Sequence, residues 1–222
     1  KAPLTADQIL DKALEMSGGR VAYEKHSSLY LKGSFSIPNQ GVNGTIEVFT
    51  KAPDKSLTVT EIPGVLTQTE GFDGTDAWSK DTLQGLRVKS GVELATTRRA
   101  AVFNADLKWR ELWKGAELVG RDKVGEREAY VVKLIPKDGE GGPLTNYYDV
   151  ETFLLLRADI VQESPMGSLP VTSYFSDYKP VDGIQTPFTI EQQLSIMSMK
   201  LTITDVKYDV PMDDAKFVKP QQ

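Results

Sequence analysis

The sequence predicts a mostly β (α+β) protein: a single curved antiparallel sheet forming an open half-barrel, with helices plugging its concave face. Three observations predict it. From Asn146 onward the chain holds short runs of alternating apolar and polar residues, each closed by a turn signal, with no helical repeat. Helical patterns occur only near the start and in one insertion after Ser90. An antiparallel sheet with one apolar face must cover that face, and this chain has little helix to do it with. A cavity or groove is therefore the leading functional expectation.

The elements follow in order. Thr5-Ala6-Asp7-Gln8 fits a capping box, and Ile9, Leu10, Ala13 and Leu14 continue at helical spacing until Gly18-Gly19 stops the helix. A short second helix is expected from Arg20 to His26. Leu29 to Ile37 and Gly44 to Thr50 read as a hairpin, and Leu57 to Thr60 continues the alternation. Val65 to Phe72 and Ala77 to Ser79 are further strands. Ser90-Gly91-Val92-Glu93 is a second capping box before a helix over Leu94 to Phe103, and Leu107 to Trp113 reads as a shorter helix. Strands resume at Ala116 to Val124 and Arg127 to Ile135. The pattern predicts about eleven strands, in one domain over residues 1–222.

Two breaks in parity stand out. Phe188, Ile190, Gln192, Leu194 and Ile196 share one parity, whereas Met199, Leu201 and Ile203 share the other. A turn must fall between them, without Gly, Pro, Asn or Asp to make it. Ile196, Met197 and Met199 are expected at that tip, either folded onto the protein or forming a rim or partner contact. Parity changes again between Ile203 and Val206, which predicts a β-bulge near Thr204-Asp205.

Composition narrows the function classes. The 222 residues are 40% hydrophobic and 26% charged, with a net charge of −5, which argues against a nucleic-acid surface. No apolar run is long enough to span a bilayer as a helix. The chain has no cysteine, so disulfides and thiol chemistry are excluded. It starts at Lys1-Ala2-Pro3 without methionine, which leaves room for a removed signal peptide or an upstream domain.

Catalytic constellations are scarce. His26 is the single histidine, and it is expected to cap a helix end. Asp213-Asp214, with Asp205 and Asp209 nearby, lacks calcium-loop spacing and reads as a solvated turn or helix start. Asn43-Gly44-Thr45 matches a glycosylation sequon, but Gly44 favours a turn. No nucleophile–base pair, metal site or cofactor motif can be assembled, so no enzyme and no cofactor are expected. Trp109, Leu112 and Trp113 would share one helix face, as a fixed plug or as a lid over a cavity.

The chain resembles the LolA/LolB-like proteins, a superfamily that includes bacterial outer-membrane lipoprotein carriers. The resemblance runs through Ala6-Asp7-Gln8-Ile9-Leu10-Asp11-Lys12, Gly71-Phe72-Asp73-Gly74-Thr75-Asp76-Ala77-Trp78 and Tyr147-Tyr148-Asp149 with Leu154-Leu155-Leu156-Arg157. It continues through Tyr174-Phe175-Ser176-Asp177-Tyr178, Val181-Asp182-Gly183 and Val210-Pro211-Met212-Asp213-Asp214-Ala215-Lys216-Phe217. It is nearest to exported relatives of the carrier, and the carrier's functional arginine has no counterpart that can be placed here. The resemblance implies a periplasmic or exported protein that binds an acyl chain, a lipid, a lipoprotein or another elongated apolar molecule. An envelope protein would be a further partner. The rival expectation is a closed-cavity interaction or sensing module of a larger envelope protein. Apolar stripes place Val48, Val59, Trp78, Phe103, Trp109 and Trp113 as the expected lining of one cavity.

Overall fold

The computed structural model describes residues 3–164, 167–195 and 197–221. Helices α1 (Ala6–Met16) and α2 (Gly19–Glu24) come first. Strands β1 (Ser28–Ile37), β2 (Val42–Lys51), β3 (Lys55–Ile62), β4 (Leu66–Phe72), β5 (Ala77–Asp81) and β6 (Gly85–Val88) follow. After α3 (Gly91–Ala101) and the single turn α4 (Trp109–Leu112) come β7 (Trp113–Val124), β8 (Arg127–Pro136) and β9 (Leu144–Asp149). The last strands are β10 (Leu155–Ser164), β11 (Gly167–Val181), β12 (Ile184–Leu194) and β13 (Met197–Tyr208). They form one 13-stranded sheet, ordered β6-β5-β4-β3-β2-β1-β13-β12-β11-β10-β9-β8-β7, whose two end strands leave it open. The predicted mostly β, open antiparallel sheet is therefore the observed class. The chain divides into two compact units, Lys1–Glu24 with Asn104–Ile196 and Lys25–Phe103 with Met197–Gln222.

In the first unit, α1 forms as its sequence dictates. The Thr5 side chain accepts the Gln8 N–H and the Gln8 side chain accepts the Thr5 N–H, which completes the capping box. Ala6, Ile9 and Leu10 turn inward and pack on Val132, Leu134, Tyr148 and Trp109. Ile9 and Val132 are fully buried, and burying such a side chain stabilises by about 1.5–3 kcal/mol. Arg110 of α4 holds α1 from outside through both oxygens of Asp11 at 3.0 Å. The α1–α2 turn presses on the β11–β12 turn. Gly18 has φ +138°, and a Cβ there would lie 2.5 Å from the Gly183 carbonyl oxygen.

In the second unit, α3 and the C-terminal residues cover opposite faces of the sheet. Leu94 and Ala101 of α3 pack on Phe72 and Ala77. On the other side a 3-10 turn at Asp214–Phe217 drives Phe217 between Leu57 and Trp78, where it is fully buried. The Trp78 indole N–H donates to the Phe217 carbonyl at 3.1 Å. Gly71 permits this, because a Cβ there would sit 2.5 Å from the Trp78 ring.

Several local expectations change. Ser90 makes no side-chain cap, and the Glu93 carboxylate that would complete the box is held instead by the Arg87 guanidinium through two 2.7 Å bonds. Trp113 opens β7 instead of closing a helix, so it does not continue the helical face of Trp109 and Leu112. The expected bulge is present: Lys32 opposes Asp205 and Gly33 opposes Ile203, which leaves Thr204 as the extra residue.

Candidate functional site

Facing residues on paired antiparallel strands point to the same side of a sheet, so the register shows which side chains share a surface. In the second unit, one row runs Leu31–Val48–Thr58–Glu70–Ser79. Leu29 and Tyr208, Leu31 and Val206, Gly33 and Ile203, and Phe35 and Leu201 pair on the same face. Ile46 faces Gly33. This is the face that α3 occupies at its Phe72–Ala77 end. Beyond α3 it is apolar and only half-covered: Leu29, Leu31, Ile46, Val48, Leu201 and Val206 all retain partial exposure. Strand alternation extends the face to Met197 and Met199, both half-buried.

The reverse face carries the row Tyr30–Phe49–Leu57–Gly71–Trp78. Val59 shares it and belongs with Leu57, Trp78 and Phe217. The predicted lining therefore separates. Val48 lies on the α3 face, whereas Val59 and Trp78 lie beneath the C-terminal turn. The physical reason is strand alternation: Val48 pairs with Thr58, so the adjacent Val59 must point the other way. Phe103 is buried at the end of the helical insertion, its N–H bonded to the Pro53 carbonyl. Trp109 and Trp113 pack together in the core of the first unit. Ile196 lies outside the described residues.

The first unit has its own half-covered surface. The face that receives α1 carries the row Val132–Asn146–Ala158–Ser173–Gln192. Apolar pairs flank it on β10, β11 and β12: Val171 with Ile160 and Leu194 on one side, Phe175 with Ile190 on the other. Asn146 and Ser173 are buried, and the Gln192 amide donates to Ser173 Oγ at 3.3 Å. These polar residues were not singled out in the sequence. The available signal was Asn146 on the same parity as Leu144 and Tyr148, where an apolar residue is expected.

His26 does not cap a helix. It lies beyond the end of α2, stacked on Tyr208 at 4.1 Å, with Nδ1 2.8 Å from Asp209 Oδ2. Ser27 donates its N–H and its hydroxyl to the other Asp209 oxygen. These bonds, His26 first, hold the Asp209 carboxyl below the usual range. Nε2 is buried with no hydrogen-bond partner, so no described hydroxyl stands where a histidine base would activate it. Asp213 accepts the Ala215 N–H and Asp214 accepts from Lys51 and Lys55, which makes this acidic pair a turn cap and an ion-pair cluster. Among the described residues no helix is long and apolar enough to cross a membrane.

No family profile and no curated protein sequence matches the chain. Solved structures do. A DUF1329 family protein from Desulfovibrio piger superposes with a TM-score of 0.67 at 17% identity, covering 97% of this chain and 98% of its own. A LolA superfamily protein from Nitrosomonas europaea gives 0.64 at 17% identity, with 98% and 99% covered. A domain from Vibrio parahaemolyticus, named for outer-membrane lipoprotein sorting, gives 0.63 at 15% identity, with 96% and 97% covered. Near-complete coverage of both chains at TM-scores of 0.63–0.67 leads to one statement: the chain has a LolA-like fold.

Proposed function

We propose that this protein is a non-enzymatic carrier or binding protein, periplasmic or exported, for an elongated apolar ligand such as the acyl chain of a lipoprotein. The observation that carries the reading is the half-covered apolar face of β13, β1 and β2 in the second unit. Leu29, Leu31, Ile46, Val48, Leu201 and Val206 line it, and α3 covers only its far end. Each methylene buried on such a face contributes about 0.8 kcal/mol. Few charges lie on it, so selection among chains is expected to be loose. Two of the three similar structures are named for LolA or for lipoprotein sorting, which supports the same class of ligand.

The test has two parts. Native mass spectrometry of freshly purified protein should show a co-purified lipid. Titration with N-phenyl-1-naphthylamine should show saturable binding, weakened about tenfold in Val48→Asp. Val59→Asp, on the reverse face, should lower the melting temperature and leave the affinity of the folded protein near that of the parent. No lipid and no probe binding would favour the interaction or sensing module. The filled core of the first unit, with Ile9 and Val132 fully buried, supports that second reading.

A further inference from the structure

The half-covered face of the second unit changes character across one strand boundary. The register gives two rows on it. One runs Val206–Leu31–Val48 on β13, β1 and β2, then Thr58–Glu70–Ser79 on β3, β4 and β5. The other runs Ile203–Gly33–Ile46, then Thr60–Gln68–Asp81. In both rows apolar groups give way to hydroxyl, amide and carboxylate groups between β2 and β3, a step of about 4.8 Å. The other side of β3 carries Leu57 and Val59, so the change belongs to this face and not to the strand.

Solvation alone does not account for the division. Ile46 and Val48 are half-buried, and so are Thr58, Thr60 and Gln68. A face left to water gains nothing from a run of apolar side chains, and a face sealed by protein would be apolar throughout. A face open over both halves and divided in this way matches an occupant that is apolar at one end and polar at the other. The side chains of Thr58, Thr60 and Gln68 have no hydrogen-bond partner among the described residues, and each can both donate and accept.

The charges beside them are already committed. Lys89 Nζ lies 3.1 Å from Glu70 Oε1, and the lysine side chain is only 10% exposed. Arg87 faces Ser79 at the next step of the first row and holds Glu93 of α3 through both its oxygens. Asp81 accepts the N–H groups of Leu83 and Gln84 in the β5–β6 turn. A charged head would have to break into these arrangements, whereas a neutral head only has to meet the free hydroxyls and the amide.

We propose that the occupant of this face is an amphipathic molecule with a neutral head bearing several hydroxyl groups, and that Thr58, Thr60 and Gln68 receive that head while the chain lies on Leu31, Ile46 and Val48. This deepens the apolar-ligand reading given above and rests on it.

The experiment displaces N-phenyl-1-naphthylamine from the full chain with decyl probes kept below their micelle-forming concentrations. Decyl glucoside and glyceryl decyl ether carry hydroxyl heads, methyl decyl ether carries none, and decyl sulfate and decyltrimethylammonium are charged. The parent should bind both hydroxyl heads about tenfold more tightly than methyl decyl ether, the scale of one or two net hydrogen bonds, and more tightly than either charged head. Which of the two is tighter tells a sugar from a glyceryl source. Thr58→Val combined with Thr60→Val keeps side-chain shape and strand preference, and should abolish the difference while leaving methyl decyl ether unaffected. Gln68→Leu, read in the same way, serves if the double variant misfolds. Equal affinity for all neutral probes in the parent would overturn this proposal and leave the apolar-ligand reading intact. Tightest binding of a charged head would overturn the neutral assignment, and a preference that survives in the variants would overturn the assignment to these residues. A dimer in sedimentation that the probes do not dissociate would give the face to a second copy of the chain and overturn the proposal. If no decyl probe displaces the dye, the apolar-ligand reading falls and this proposal with it.

Discussion

Asp149 shows how a single buried carboxylate sets a turn. Its side chain is 3% exposed and pairs with Arg127 Nε at 2.7 Å. It accepts the backbone N–H of Glu151 and of Thr152 and the Thr152 hydroxyl, which closes the β9–β10 turn. Burial acts to raise this carboxyl, but the bonds from Thr152 and Glu151 and the Arg127 charge outweigh it, so it titrates below the usual range. A carboxyl lowered by folding stabilises fully above its unfolded pKa of about 3.9, and that contribution disappears as pH falls through the lower folded value. Asp149→Asn should therefore cost about 2 kcal/mol at pH 7, and the difference from the parent should shrink steadily below about pH 3.9. Urea denaturation at pH 7 and pH 3 checks this; an equal cost at both would exclude ionisation as the cause. At this scale the sequence is legible where a bond is local. Thr5 and Gln8 are three residues apart, so their capping box can be read directly. His26 and Asp209 are 183 positions apart, and nothing near either residue announces the other. Asn146 could be flagged as a polar residue on an apolar parity, but its unpartnered oxygen emerges only from the packing.

Elements became legible where pattern and turn chemistry agree. The bulge at Thr204 follows from a parity change, and α1 follows from its cap and spacing. β6 was missed because four residues, Gly85–Val88, are too few to show alternation. The Trp109–Trp113 segment misled because residues at helical spacing end in a strand: one turn of helix is closed when Trp113 adopts φ −115° and ψ 144°. The α1–α2 turn offers the sharpest test of element packing. Gly18→Ala adds a Cβ 2.5 Å from the Gly183 carbonyl oxygen at a φ of +138°. It should destabilise by about 2–3 kcal/mol, combining backbone strain with a forced separation of two turns. Gly41→Ala meets nothing within 4 Å at φ +64° and should cost only about 1 kcal/mol. Thermal denaturation of the pair isolates the contact; similar losses in both would show that backbone strain alone is responsible.

For the whole molecule, fold class could be read from strand repetition and from a resemblance spread over many short pieces. The assignment of side chains to faces could not, because one register decides a whole strand and Val48 and Val59 sit on adjacent strands of opposite parity. Each compact unit is also assembled from two separated stretches of chain. In the second unit, Phe217 closes the core around Leu57 and Trp78, and its carbonyl receives the Trp78 N–H across 139 positions. Deleting residues 212–222 should lower the melting temperature by several degrees and make tryptophan emission more open to acrylamide quenching, since a buried phenylalanine contributes about 3–5 kcal/mol. Unchanged quenching would mean that Trp78 is covered without the tail. Time enters here as well as energy. On the ribosome Phe217 follows Trp78 by 139 positions, so a growing chain carries an uncovered aromatic surface until the second stretch emerges. That core is therefore completed by pairing two distant stretches, and it cannot close while only the first of them is made.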